Sequence, residues 1–265
     1  MQQTPQTRTP YEQTQLARYG VAHPELLLQE DAPVEYITGV CESNGLLFQV
    51  SPDVLIPRIE TQELADLVVK KFLFDIKSRP VSKISIIDIG TGSGFLGISV
   101  AHMISKALPQ TQNIQIALTL CDISPAALTI AQKNASTLLG NSVEVKYIES
   151  DLLASVSQDK APQFDIILAN LPYIPSAQIS ELETSVKSYE PLLALDGGPD
   201  GFALISRLLG QAPSFMNHNS RLWLEVDPTH TVDMCQKAQP NLEYRAHKDS
   251  FGRHRFIEAV VQKDS

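Results

Sequence analysis

The sequence predicts an α/β protein with a mostly parallel β-sheet. From Ile84 onward, short apolar segments rich in β-branched residues alternate with longer segments of helical periodicity. This is the pattern of parallel strands joined by right-handed crossovers. A glycine-rich turn at residues 90–94 joins the first of these strands to its helix. Another apolar segment ends at Asn170, and ligands bind at the carboxyl ends of strands in open α/β sheets.

The elements that precede the sheet are short. Residues 1–20 are rich in Gln and Thr and contain two prolines, so we expect them to be poorly ordered. Residues 24–30 predict a short helix. A β-hairpin follows, in which Asn44-Gly45 forms the turn between strands Tyr36–Val40 and Leu46–Val50.

The sheet itself begins after a helix. Apolar residues recur at helical spacing from Thr61 to Phe74, and again from Phe95 to Ile104. Strands are predicted near residues 84–89, 115–121, 143–148, 164–170 and 220–226, with a final pair near 242–247 and 254–262. The chain therefore divides into a short amino-terminal segment (1–31), partly disordered or helical, a β-hairpin linker (32–60) and one large domain (61–265).

The glycine loop is a candidate cofactor-binding element. It runs from Gly90 to Gly94 as Gly-Thr-Gly-Ser-Gly, between a β-branched strand and a helix. Such a loop offers free backbone N–H groups and a helix amino end. Its spacing lacks the G-x-G-x-x-G signature of dinucleotide binders, and an acid, Asp88, precedes it within the strand. Because glycines also simply make turns, the loop alone does not decide a function.

A second candidate lies at the end of the second strand. Asp122 follows the apolar segment 115–121, and an acid at this position holds ribose hydroxyls in folds of this kind. It comes about thirty residues after the glycine loop, with a polar insert at 109–113 between them. Ser124-Pro125 is also typical of a helix start, so Asp122 as a neighbour of a helix cap is the alternative.

The third candidate is the tetrapeptide Asn170-Leu-Pro-Tyr173, which follows a buried strand. The Asn170 side-chain oxygen and the backbone carbonyl of Leu171 can each accept one N–H of a planar –NH2 group. Pro172 stiffens the turn, and Tyr173 offers a ring on which a flat group can stack. Ordinary turn chemistry is the alternative interpretation.

Five further segments of the chain carry recognisable motifs. They are residues 33–39 (Pro-Val-Glu-Tyr-Ile-Thr-Gly), residues 51–61 (Ser-Pro-Asp-Val-Leu-Ile-Pro-Arg-Ile-Glu-Thr), Glu190-Pro191 with Ala194 to Gly201, Leu224-Glu225, and Asp249-x-x-Gly252-Arg253-x-Arg255. With the glycine loop and the Asn170 tetrapeptide, they resemble the class I S-adenosylmethionine-dependent methyltransferases. Within that class the chain is similar to the release-factor glutamine methyltransferases, over roughly residues 32–260.

The resemblance implies a Rossmann-like class I methyltransferase fold. We expect a mostly parallel seven-stranded sheet with a C-terminal antiparallel hairpin, preceded by a short N-terminal segment and a β-hairpin, with residues 61–265 as the S-adenosylmethionine-dependent domain. The implied reaction methylates the side-chain amide nitrogen of the glutamine in the Gly-Gly-Gln motif of peptide chain release factors, which act in translation termination.

The resemblance also implies roles for individual residues. The catalytic set is Asn170, Leu171, Pro172 and Tyr173. The S-adenosylmethionine-binding set is Asp88, Gly90, Thr91, Gly92, Ser93, Gly94, Asp122, Ile123, Asp151, Leu152 and Asn170. Within it, the glycine loop would hold the methionine part, Asp122 the ribose, and Asp151 with Leu152 the adenine. For Asp151, capping of the following turn is the alternative.

Two features depart from the family. Its usual tetrapeptide is Asn-Pro-Pro-Tyr, and Leu171 replaces the first Pro here. Asn-Leu-Pro-Tyr is also seen in methyltransferases of the exocyclic adenine amine of ribosomal RNA, so a nucleic-acid (rRNA or DNA) adenine amine methyltransferase is the alternative function. The family also carries a helical domain before the segment that begins at Pro33, where about thirty residues precede it here. A non-catalytic partner that retains the cofactor fold is a further alternative, against which the intact glycine loop argues.

Composition narrows the remaining classes. The net charge is −9 and the pI about 5.1, which disfavours direct binding of bare nucleic acid. Basic side chains cluster only between Arg245 and Arg255, either as a local stripe or as a solvated hairpin. Three scattered cysteines suggest neither a disulfide framework nor a zinc site, and we expect no metal. No apolar run reaches eighteen residues and no signal-peptide pattern opens the chain, so we expect a cytoplasmic protein. The resemblance implies a release factor as its partner, and we expect a monomer.

Overall fold

The computed structural model describes residues 8–29, 31–78, 81–108, 114–157 and 164–262. The elements before the sheet are helices α1 (Pro10–Tyr19), α2 (Pro24–Leu27) and α3 (Val34–Thr38), strands β1 (Val40–Ser43) and β2 (Leu46–Gln49), and helix α4 (Ile59–Asp75). The central elements are β3 (Lys83–Ile89), α5 (Phe95–Ala107), β4 (Gln115–Asp122), α6 (Pro125–Leu138), β5 (Val143–Glu149) and β6 (Ile166–Ala169). The last are α7 (Thr184–Lys187), α8 (Ala203–Gln211), β7 (Arg221–Glu225), α9 (Val232–Ala238), β8 (Leu242–Lys248) and β9 (His254–Val261).

A seven-stranded sheet forms the centre of the molecule, in the order β5-β4-β3-β6-β7-β9-β8. Strands β3 to β7 pair in parallel, whereas β9 runs antiparallel to both β7 and β8. The order reverses at β3, because β4 and β6 lie on its two sides. This topology confirms the predicted α/β class, with its mostly parallel sheet and C-terminal antiparallel hairpin.

The two faces of the sheet pack against different helices. On β3, Ile84 and Ile86 point into a cluster with side chains of α4, α5 and α6. Ile87 and Ile89 point to the opposite face, into a cluster with α8. The alternation follows from the two-residue period of a strand, and because both faces are covered, isoleucines of β3 point to both of them. Trp223 of β7 is 1% exposed and belongs to the first of these clusters.

The amino-terminal elements differ from two sequence predictions. The predicted disorder of residues 1–20 is wrong for Pro10–Tyr19, which form α1. Thr9 accepts the N–H of Glu12 and the Glu12 carboxylate accepts the N–H of Thr9, so a capping box starts this helix. Residues 1–7 lie outside the described residues.

The predicted strand Tyr36–Val40 is also wrong, because Val34–Thr38 form helix α3. Its β-branched and aromatic residues favour a strand locally, but burial of Tyr36 and Ile37 overrides that preference. The Tyr36 hydroxyl donates to the Val54 carbonyl at 2.6 Å and fastens α3 to the segment before α4. The Asn44-Gly45 turn and the second strand are confirmed as β1–β2.

Candidate active site

A cavity of about 380 Å³ opens at the carboxyl ends of β3, β4, β5 and β6. All the residues predicted to bind the cofactor line it except Gly94, which caps the amino end of α5. Of the predicted catalytic residues, Asn170, Leu171 and Pro172 line the cavity and Tyr173 does not. The cavity therefore lies beside β3, where the strand order reverses and where such sheets bind ligands.

Asp88 lies beneath the glycine loop. Its buried carboxylate accepts the hydroxyl of Thr91 at 2.6 Å and the N–H of Gly97 at 3.0 Å, so it fixes the loop to the start of α5. Burial raises the pKa of Asp88 to about 7, although these two hydrogen bonds oppose that shift. Its main contacts are thus with the loop itself.

Asp122 joins the second strand to the same loop. Its Oδ2 accepts the N–H of Gly92 at 2.8 Å, and its Oδ1 accepts the N–H of Ser124 at 2.9 Å. Burial raises the pKa of Asp122, and the backbone N–H donors oppose the shift. The Ser124 hydroxyl accepts the N–H of Ala127 and caps α6, so the predicted helix start is confirmed while Asp122 still lines the cavity.

Residues that come directly after β5 form the far wall of the cavity. Asp151 is partly exposed and pairs with Arg207 at 2.6 Å. Leu152 is buried and has φ of 53°, a left-handed conformation that is uncommon for a non-glycine residue. Such strained residues concentrate at functional sites. Ile123 is 48% exposed at the mouth of the cavity.

The Asn170 side chain is held from behind. Its Nδ2 donates to Thr61 Oγ1 at 2.9 Å, and Thr61 Oγ1 donates to Glu225 Oε2 at 2.7 Å. Among the described residues, none donates a hydrogen bond to Asn170 Oδ1. Burial raises the pKa of Glu225, whereas the hydroxyl of Thr61 and the guanidinium of Arg255 favour its charged form.

Tyr173 lies on the other side of that carboxylate. Its hydroxyl donates to Glu225 Oε1 at 3.1 Å and accepts a hydrogen bond from Arg255. The Arg255 guanidinium also lies over the Tyr173 ring, 4.8 Å from its centroid. Since this residue is outside the cavity lining, stacking of a substrate on its ring stays a prediction.

A glycine-rich loop from residues 195 to 201 supports the Asn170 segment. The N–H of Gly197 donates to the Ile174 carbonyl at 2.9 Å, and the N–H of Ile174 donates to the Leu195 carbonyl at 3.2 Å. A Cβ on Gly201 would lie 2.2 Å from the carbonyl oxygen of Tyr173, and its φ is 73°. Backbone packs directly on backbone here, which explains why this segment is glycine-rich.

Comparison with known proteins places this site in a family. The chain matches the family described as "Methyltransferase small domain" over residues 66–186. It is 34% identical over 237 residues to the release factor glutamine methyltransferase of Flavobacterium psychrophilum, covering 88% of this chain and 76% of that protein. The chain belongs to the release factor glutamine methyltransferase family. This confirms the resemblance identified from the sequence.

A second relative covers a smaller share of its own length. The release factor glutamine methyltransferase of Moorella thermoacetica is 38% identical over 194 residues, which are 73% of this chain and 62% of that protein. The match therefore spans less than two thirds of the Moorella protein.

Solved structures show the same fold at low identity. The hMettl16 catalytic domain in complex with the MAT2A 3'UTR hairpin 1 aligns with a TM-score of 0.56 and 14% identity, over 84% of this chain and 77% of that one. A T. thermophilus 16S rRNA methyltransferase in complex with AdoMet and guanosine aligns with a TM-score of 0.52 and 13% identity, over 85% and 50% of the two chains. Together with the family, these likenesses confirm a Rossmann-like class I methyltransferase fold.

Sequence reasoning missed part of this family member's site. Thr61 and Glu225 were noted only as parts of matching segments, and their contact with Asn170 was not predicted. Arg58 lies in the matching segment 51–61. It lines the cavity and forms an ion pair with Glu190, whose side chain is 1% exposed. The signal for these residues was their place in the matching segments.

The basic side chains near the carboxyl end do not form one open stripe. Arg255 is buried against Glu225, and Arg253 pairs with Asp249 at 2.7 Å. His247 lies 3.1 Å from Glu258. Acids of the protein therefore contact three of the six basic side chains between Arg245 and Arg255, while Arg245, Lys248 and His254 are exposed.

The described part of the chain offers neither a membrane-spanning helix nor a cluster of metal ligands. Across the described ranges, helices combining the length and apolar character needed to cross a membrane are lacking. The same residues contain no group of three or more His, Cys, Asp or Glu side chains placed to hold a metal ion.

Proposed function

We propose that this chain is a protein-(glutamine-N5) methyltransferase. It transfers the methyl group of S-adenosylmethionine to the side-chain amide nitrogen of the glutamine in the Gly-Gly-Gln motif of peptide chain release factors. Family membership supports the reaction and the substrate class. The observation that carries the proposal is the amide of Asn170, held by Thr61 at the edge of the cavity.

The residues of the cavity fit this cofactor. A volume of about 380 Å³ falls in the range of small-molecule sites. The lining contains four aspartates (Asp53, Asp88, Asp122 and Asp151) and two arginines (Arg58 and Arg207), a balance that suits a ligand with a net positive charge. The glycine loop and the amino end of α5 would hold the methionine part, Asp122 the ribose hydroxyls, and Asp151 with Leu152 the adenine. When bound, S-adenosylmethionine supplies an electrophilic methyl group.

The chain's own contribution is to orient a poor nucleophile. The lone pair of a carboxamide nitrogen is delocalised into its carbonyl, so the amide of a substrate glutamine reacts slowly in water. Asn170 Oδ1 and the Leu171 carbonyl accept its two N–H hydrogens and turn the lone pair toward the cavity. Both acceptors also stabilise the positive charge that develops on this nitrogen. Orientation and electrostatic pre-organisation lower the activation free energy by several kcal/mol, of the order of 3 for each well-placed group.

A strong base is not required before methyl transfer. The amide proton becomes acidic only as the new C–N bond forms, so it can leave after the methyl group has moved. The cavity lining accordingly contains carboxylates but no His.

Methylation of an adenine amine in nucleic acid is not favoured. The two relatives are named for release factor glutamine, and the two aligned structures, one in complex with an RNA hairpin and one a 16S rRNA methyltransferase, are 14% identical or less, which reflects fold alone. Leu171, which prompted this alternative, is 4% exposed, and its side chain packs against Gly90. It therefore offers a backbone carbonyl to the substrate, as a proline does.

The experiment that tests this proposal offers two substrates to one enzyme. Purified protein is incubated with methyl-labelled S-adenosylmethionine and, separately, with a release factor and with ribosomal RNA. We expect label in the release factor, on the glutamine of Gly-Gly-Gln by peptide mass spectrometry. Label in RNA alone would contradict the proposal. In keeping with a role in translation termination, we propose action in the cytoplasm as a monomer.

A further inference from the structure

We propose that Glu225 and Thr61 are positioning residues that set which end of the Asn170 carboxamide faces the substrate. This inference rests on the proposed function, since it concerns how the –NH2-gripping oxygen is presented. Thr61 is 4% exposed and Glu225 is 1% exposed, so neither exchanges its partners freely with water. Glu225 lies outside the cavity lining, whereas Thr61 lines the cavity beside Asn170, and both contact the substrate only through the Asn170 amide in this proposal.

The polarity of the chain of hydrogen bonds follows from counting protons. Arg255, Tyr173 and Thr61 each direct a donor at Glu225 and so favour its ionised form against burial. Thr61 has a single hydroxyl proton, and an ionised carboxylate can only accept. Thr61 Oγ1 lies 2.7 Å from Glu225 Oε2, so its proton points to the carboxylate. The lone pairs of Thr61 Oγ1 remain for Asn170, 2.9 Å away. Only the –NH2 end of the Asn170 amide can donate there, so its oxygen is directed away from Thr61.

We call this chain of hydrogen bonds the relay, and the guanidinium of Arg255 holds its far end. Arg255 lies 3.3 Å from Glu225 Oε1, and Tyr173 donates its hydroxyl to the same oxygen at 3.1 Å. Arginine has donors only, so it cannot accept a proton from the carboxyl. The relay therefore runs from Arg255 through Glu225 and Thr61 to Asn170, and its polarity is fixed by the charge at one end.

The consequence for catalysis is geometric. A reversed amide would present Nδ2 to the substrate, and two –NH2 groups facing each other cannot hydrogen bond. One of the two acceptors that hold the glutamine would be lost, together with its stabilisation of the charge developing on nitrogen. Loss of one such hydrogen bond lowers turnover by roughly a hundredfold or more.

The Glu225→Gln variant is expected to reverse the relay. At the Oε1 position Arg255 and Tyr173 both donate, so the oxygen of the substituted carboxamide stays there and its –NH2 takes the Oε2 position. That –NH2 donates to Thr61, whose proton then turns to Asn170 and draws Oδ1 away from the substrate. We expect kcat for release-factor methylation to fall on the order of a hundredfold. Cofactor affinity by calorimetry stays within about twofold, because the relay leaves the glycine loop untouched.

Substitution of Thr61, the middle residue of the relay, distinguishes loss of positioning from general structural damage. Thr61→Val frees the Asn170 amide to adopt either orientation, so we expect about a tenfold lower kcat, whereas Thr61→Ser keeps the hydroxyl and stays close to wild type. In the double variant Thr61→Val with Glu225→Gln, residue 61 has no hydroxyl, so the –NH2 of the substituted residue 225 no longer turns the Asn170 amide. The double variant is therefore expected to turn over faster than Glu225→Gln alone, which a merely structural role does not produce.

Glu258→Gln is the matched control. Glu258 is also 1% exposed and pairs with an arginine, Arg221, but has no contact with Asn170, so its kcat is expected to stay near wild type. The relay is refuted if Glu225→Gln is as active as Glu258→Gln, if Thr61→Val matches Thr61→Ser, or if the double variant is slower than Glu225→Gln. Asn170→Ala is assayed alongside. Absence of glutamine methylation by the wild type contradicts the proposed function, and full activity in Asn170→Ala contradicts the role of Asn170. Loss of activity in Asn170→Ala with normal Glu225 and Thr61 variants contradicts the relay alone.

Discussion

The substitution Leu171→Pro restores the usual family tetrapeptide and has two separable effects. Leu171 is 4% exposed, and a Cβ on Gly90 would lie 2.9 Å from its Cδ2, so the side chain fills the space against the glycine loop. Proline lacks the branched end and leaves about one to two methyl groups of that space empty. At about 0.8 kcal/mol for each group plus a cavity contribution, we expect a loss of about 1–2 kcal/mol in the free energy of unfolding.

The expected thermal shift is small and measurable. For a chain of this size, about 2–4 °C per kcal/mol gives a melting temperature lowered by about 2–8 °C in calorimetry. No described residue accepts a hydrogen bond from the Leu171 N–H, so proline removes no donor that is in use. Leu171→Ala is the control, with a larger expected loss of about 2–5 kcal/mol. A melting temperature that is unchanged in both variants would refute the packing role.

The activity of the same variant tests the role of the backbone. Because proline keeps the carbonyl, we expect glutamine methylation within about threefold of wild type once the protein is folded. Kinetics at a temperature well below melting, with a release factor and with ribosomal RNA, provide the measurement. Loss of RNA methylation with no glutamine methylation would instead show that Leu171 marks adaptation to adenine.

Three further predictions concern the loops around the cavity. Asp122→Ala is expected to weaken S-adenosylmethionine binding roughly ten- to a hundredfold in calorimetry, because charge-assisted hydrogen bonds are lost; unchanged affinity would remove Asp122 from the site. Gly201→Ala forces a methyl group against the Tyr173 carbonyl, so we expect kcat to fall on the order of a hundredfold, with Gly210→Ala, which meets no atom within 4 Å, as the unaffected control. Asp88→Asn tests pH dependence. Burial raises the pKa of Asp88 in the folded protein to about 7, above the pKa of an aspartate in the unfolded chain. The protonated group therefore stabilises the fold at low pH, and this stability is lost as the pH rises through 7. We expect the melting temperature of the wild type to fall more from pH 5 to pH 8 than that of the variant, and equal losses would contradict this prediction.

Most of the sheet could be predicted because its signals are local. Apolar residues of β3 and β4, such as Ile86 with Ile87 and Leu120 with Cys121, point to both faces of the sheet, as two covered faces require. Helix α1 was missed because it buries no side chain and so has no apolar stripe, although its capping box is present in the sequence. Helix α3 was missed because tertiary burial of Tyr36 and Ile37 overrides a local strand preference.

The residues of the candidate site also fall into two groups, those that local motifs predict and those that only tertiary packing brings together. The glycine loop, Asp122 and Asn170 each follow directly from a strand and its turn, so short motifs point to them. The contact between Asn170 and Thr61 joins residues 109 positions apart, and Thr61 and Glu225 are 164 apart. Only the packing of α4 against β7 brings these side chains together, and a single sequence carries no local signal for such pairs.

The grip of Asn170 on an amide nitrogen is tested most directly by methyl transfer from the Asn170→Ala variant. Wild type and variant are given saturating S-adenosylmethionine and a release factor, and N5-methylglutamine in the Gly-Gly-Gln peptide is quantified by mass spectrometry. Because the grip is needed mostly in the transition state, we expect wild-type cofactor affinity and melting temperature with turnover reduced by roughly 10² to 10³. Glutamine methylation by Asn170→Ala at the wild-type rate would contradict the mechanism.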